Sequence, residues 1–158
     1  MARTRPMIER GGSIDGIVSD SLSEIESLKD EMQEWADSLS SNNMEHLPKY
    51  DEVTECIDAL ENAISNIPDM LDLLPEMKDE VKWQEKAPYK GVPSRSTRLN
   101  NATNDITQVI DYIESFLADF EDENEEYADL VQEWESYKDD LQNIVDEADS
   151  VSFPGMFG

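Results

Sequence analysis

From Ser94 to Ser150 the chain holds no glycine and no proline, and its apolar residues recur every three or four positions. The slots are Leu99, Ala102, Ile106, Val109, Ile113, Phe116 and Phe120. They resume at Tyr127, Leu130, Trp134, Tyr137, Leu141, Ile144 and Ala148. Such spacing lines one face of a helix. Only Glu123 interrupts it. Unbroken, the helix would run about 85 Å at 1.5 Å per residue. The acidic run at 121–126, EDENEE, is its weak point, because like charges one turn apart repel.

The rest of the chain reads around this helix. Residues 1–12 form a basic flexible arm in which Arg3, Arg5 and Arg10 outweigh Glu9, and Gly11-Gly12 makes a hinge. Ser13 can cap a first helix of about 13–40, with a seam from Ile14 and Val18 through Ile25, Leu28, Met32 and Trp35 to Leu39. Asn42-Asn43 can end it, since asparagine tolerates the left-handed conformation. Pro48 suits the first position of a second helix, 48–85. Its seam passes Val53, Ile57, Leu60, Ile64, Leu71 and Leu74, and Pro68 is expected to kink it. A basic loop, 86–93, follows, and residues 151–158 form an apolar tail. The expected fold is all-α: an elongated antiparallel three-helix bundle or coiled coil over 13–150, with helix 94–150 much the longest. Two shorter helices can cover only part of that spine, so self-association or docking is expected to bury the remainder.

Charge narrows the function classes. The net charge is −26, which disfavours nucleic-acid phosphates and anionic membranes as partners. The distribution is uneven: residues 82–98 carry Lys82, Lys86, Lys90, Arg95 and Arg98 against Glu85 alone. The long helix has its cations near its N-terminus and Asp139, Asp140, Asp146, Glu147 and Asp149 near its C-terminus. Both placements oppose the helix macrodipole. Helix stability alone would not select them: either the acids serve solubility or life in high salt, or they meet something basic.

No pattern of catalytic chemistry stands out. His46 is the single histidine and lacks a nucleophile at a recognisable spacing. Cys56, the single cysteine, flanks the second seam and reads as packing. Phosphate-binding glycine loops and the zinc-protease motif are missing, and DFEDENEE lacks the glycine an EF-hand loop needs. No enzyme activity, cofactor, metal or small-molecule substrate is expected. The amino-terminal residues lack a secretion signal's apolar core, and no apolar run is long enough to span a membrane. The expected location is therefore cytoplasmic, or a virion if the chain is viral.

These readings favour a non-enzymatic structural or assembly protein that works by helix packing, such as a minor component of a viral particle or other large complex. Its anchors would be Phe153, Pro154, Met156 and Phe157 in the tail, with Arg3, Arg5, Arg10, Lys86, Lys90, Arg95 and Arg98 as the basic contacts. The alternative is an acidic inhibitor or nucleic-acid mimic. It would present Glu121–Glu126 and the acids of 133–149 to a basic groove on a target protein.

Overall fold

A computed structural model describes residues 5–88, 90–120 and 125–154. The chain folds as β1 (Met7–Ser13), α1 (Ile14–Ser41), α2 (Pro48–Ala63), β2 (Glu80–Lys86), α3 (Arg95–Asp119) and α4 (Ala128–Asp149). This corrects the three-helix bundle: the described residues form four helices and a two-stranded antiparallel sheet, and no helix spans 94–150.

The first helix forms for the reasons its sequence suggests. The Ser13 hydroxyl accepts the Gly16 N–H at 3.0 Å, satisfying one of the orphan donors of a helix start. Asn42 caps the other end, and Asn43 follows with φ 58°. The second helix starts at Pro48 as expected but stops at Ala63, far short of residue 85. Proline disfavours helical conformation in the residue before it. Pro68 and Pro75 therefore leave residues 64–79 irregular rather than kinked. The segment is anchored at intervals instead. Leu74 and Met77 are buried. Trp134 Nε1 donates to the Asp72 carbonyl at 2.9 Å. The Lys78 N–H donates to Tyr112 Oη at 2.7 Å.

The expected spine is a hairpin. α3 ends at Asp119, with Phe120 already extended (φ −78°, ψ 122°), and α4 begins at Ala128. Residues 121–124 of the acidic run lie outside the described residues. An aromatic ladder flanks the turn: Tyr112–Phe116, Phe116–Phe120 and Phe120–Tyr127 have ring centroids 6.3, 5.6 and 6.3 Å apart. The fold-back lets α4 pack on both α2 and α3, while α1 packs on α2 and α3. The four helices thus close a ring in the order α1–α2–α4–α3. Trp134, Leu141, Ile25, Leu28, Met32, Val53, Leu60, Ile106 and Ile113 meet inside it. The α4 seam is covered by its own chain, which removes the argument that a second molecule must cover it.

The element order is β-α-α twice over. β1 pairs with β2 antiparallel, from Met7 opposite Lys86 to Ser13 opposite Glu80. In the first unit the strand runs straight into its helix through Ser13; in the second, residues 87–94 intervene. The helix that follows each strand has a serine cap: Ser13 for α1, and Ser94 for α3, whose hydroxyl accepts the Thr97 N–H at 3.1 Å.

Candidate functional site

Of the residues expected to contact partners, Arg5, Arg10 and Lys86 lie on or beside the β-ribbon, Lys90 in the connection after it, and Arg95 and Arg98 in the first turn of α3. Strand alternation divides the ribbon into two faces. Ile8, Arg10 and Gly12 stand opposite Glu85, Trp83 and Val81 on the packed side. Met7, Glu9, Glu80, Lys82, Gln84 and Lys86 are exposed.

Arg10 ties the ribbon to the bundle. Its Nη1 lies 2.8 Å from Glu85 Oε1 and its Nη2 3.1 Å from Asp105 Oδ2 on α3. The guanidinium sits 5.8 Å from the Trp83 ring centroid, a cation–π contact. Trp83 Nε1 donates to the other Glu85 oxygen at 3.0 Å. Burial pushes the Glu85 carboxyl up, but hydrogen bonds from Arg10 and Trp83 and the Arg10 charge outweigh it, and its pKa is lowered. For Asp105 burial wins over the Arg10 charge, and its pKa is raised. Its Oδ1 is buried without a hydrogen-bond partner.

The start of α3 is held in a similar way. Arg98 pairs with Glu24 through its Nε and with Glu31 through its Nη1 at 2.7 Å. Arg95 reaches Glu31 at 3.4 Å and lies 5.8 Å from the Trp35 ring centroid. Cations that oppose the α3 dipole are thus matched by α1 carboxylates. Arg10, Arg95 and Arg98 are engaged inside the chain.

Lys82 and Lys86 lie on β2 and Lys90 in the connection that follows it. Lys86 and Lys90 are exposed and have no ion-pair partner among the described residues. Lys82 is 62% exposed and touches Glu9 and Glu80 only at 3.8 and 3.9 Å. Arg5 Nη1 donates to the Ala87 carbonyl at 3.3 Å, opposite Pro6, which has no N–H to give. Met7, opposite Lys86 on the same exposed face, is 57% exposed. Cationic and apolar groups therefore share one surface.

The ribbon edge is open as well. Ala87 N–H donates to the Pro6 carbonyl and Ile14 N–H to that of Asp79. Antiparallel pairs alternate between bonded and non-bonded, so these two bonds place residues 81, 83 and 85 in bonded pairs. The N–H and C=O groups of Lys82, Gln84 and Lys86 then point away from β1.

Helix α4 is acidic. α4 carries Asp129, Glu133, Glu135, Asp139, Asp140, Asp146, Glu147 and Asp149 with only Lys138. None of the ion pairs described above draws on them. The tail turns inward where it is described. Phe153 and Pro154 are half-buried and line a cavity of about 370 Å³ with Lys49, Glu52 and Cys56. Cys56 is buried, and burial pushes its thiol up to about 11. His46 is exposed in the α1–α2 connection. Arg3, Met156 and Phe157 lie outside the described residues.

Sequence reasoning missed Glu24, Glu31, Glu85 and Asp105, the partners of the arginines. It also missed Trp83. The alternation of Val81, Trp83 and Glu85 with Glu80, Lys82, Gln84 and Lys86 was the available signal. No helix in the described residues is long and apolar enough to cross a membrane, and no group of three or more potential metal ligands occurs among them. Comparison with protein-family models, curated proteins and solved structures finds no match for this chain.

Proposed function

We propose that this chain is a non-enzymatic structural or assembly protein that docks onto protein partners, inside the cell or in a particle built there. One observation carries the reading. On the ribbon, the exposed Lys82 and Lys86, the exposed Met7 and an unpaired β2 backbone edge lie together, while Arg10, Arg95 and Arg98 are engaged internally. An interface uses those three kinds of group together. Cross-linking in the natural extract followed by native mass measurement tests it. The expected result is a defined complex with links from Lys86 and Lys90. A monomer of 18.0 kDa in the extract and in dilute buffer overturns it.

A second reading, an acidic inhibitor of a basic protein, is favoured by α4, whose carboxylates face solvent without matching cations. Its signature would be affinity for a nucleic-acid-handling protein that falls steeply as salt rises.

A further inference from the structure

We infer that the outer edge of β2 is a docking site for an extended, acidic segment of a partner protein, which adds to the ribbon as a third strand. An unpaired strand edge is a template for another chain. Three observations define the occupant. The outward backbone groups of Lys82, Gln84 and Lys86 have no other backbone partner among the described residues. They supply the ladder. The side chains of Lys82 and Lys86 stand on the exposed face two positions either side of Gln84. An added strand would set its own alternate residues beside them, and carboxylates there complete cross-strand pairs. On the packed face the neighbours are Val81, which is buried, and Trp83 and Glu85, which are half-buried, the Glu85 charge being matched by Arg10. The intervening residues of the occupant are therefore apolar. The segment is one in which acidic and apolar residues alternate.

The edge of β1 does not serve equally. Its outward positions include Glu9, which would repel the same occupant. At Gly11 φ is +154° and the position a Cβ would take is 2.2 Å from the Val81 carbonyl oxygen, so the two backbones approach closely there. The Lys82 contacts to Glu9 and Glu80 are long and solvent-exposed. Such pairs hold little energy and exchange readily for a new carboxylate. The overall negative charge does not prevent this, because at ~0.15 M salt charges beyond ~8 Å are screened.

The inference rests on the docking role proposed above, and its test is separable from the test of that role. The probe is a capped peptide of about ten residues, roughly two β-strands' worth of reach, alternating glutamate and valine. It is titrated into the full-length protein at ~0.15 M salt, following affinity and amide exchange. The expected result is saturable binding with new protection at Lys82, Gln84 and Lys86. Gln84→Pro removes one outward N–H without touching a ribbon bond, and should weaken binding about tenfold at unchanged melting temperature. Lys82→Glu with Lys86→Glu should weaken it further. A lysine–valine peptide, and a glutamate–valine peptide N-methylated at alternate residues, should fail to bind. No binding at millimolar peptide, or binding untouched by Gln84→Pro and N-methylation, overturns the inference. If it fails while the extract still yields a defined complex, the docking role stands on other surfaces. If the edge binds the peptide while the chain is monomeric in its extract, the edge chemistry holds and the docking role falls.

Discussion

Trp134 offers the sharpest mutational test of the fold-back. It is fully buried, its ring lies 5.1 Å from that of Tyr137, and its indole N–H holds the Asp72 carbonyl at 2.9 Å. Trp134→Phe keeps most of the apolar filling and removes that one donor. The lost hydrogen bond costs about 1 kcal/mol. The space vacated by the smaller ring adds about 1 kcal/mol, a large-to-small change of the mildest sort. The total of about 2 kcal/mol corresponds to a fall in melting temperature of about 4–8 °C for a chain of this size. Trp134→Ala should cost about 3–5 kcal/mol before the hydrogen bond is counted. Urea unfolding followed by far-ultraviolet circular dichroism reads both. On an uninterrupted 94–150 helix, Trp134 would sit beyond the reach of the 64–79 segment. Its replacement by phenylalanine would then cost close to nothing. A measured cost below ~0.5 kcal/mol, the range of an ordinary surface substitution, refutes the packing described here.

Three further outcomes are expected. Gly11→Ala should destabilise the protein by more than ~1 kcal/mol by urea unfolding, because the new methyl meets the Val81 carbonyl at 2.2 Å. In a carboxyl NMR titration Asp105 should titrate above its ordinary value and Glu85 below. The raised Asp105 adds stability as pH falls through its folded pKa. Glu85 contributes fully above its ordinary value of 4.5 and loses that contribution as pH falls through its lowered pKa. Arg10→Met should move both upward. Cys56, with its thiol pushed up to about 11, should react slowly with a disulfide reagent at pH 8, and faster once residues 151–158 are removed.

The first helix was legible end to end, because its cap, seam and terminating asparagines are all local signals. The start of the second helix at Pro48 and the α3 seam were equally plain. The break after Phe120 was not. Phe120, Tyr127 and Trp134 are seven residues apart, so the turn between α3 and α4 preserves heptad phase and a hairpin passes for a continuous helix. The acidic run marked the place without revealing its depth. β1 was hidden because its inward positions are Ile8, Arg10 and Gly12, which show no apolar alternation. β2 was masked by Met77 and Val81, which happen to continue the helical rhythm of the second seam. The basic residues drew notice in the sequence, but the carboxylates that claim three of them are 64 to 95 positions away. No local pattern records such pairings.

Amide hydrogen exchange along residues 80–86 addresses the open-edged ribbon most directly. An antiparallel strand with one free edge protects alternate amides. The account predicts slow exchange at Val81, Trp83 and Glu85 and fast exchange at Lys82, Gln84 and Lys86. Uniform protection through the segment, as in a helix running on to residue 85 or a strand already covered on both edges, would contradict it.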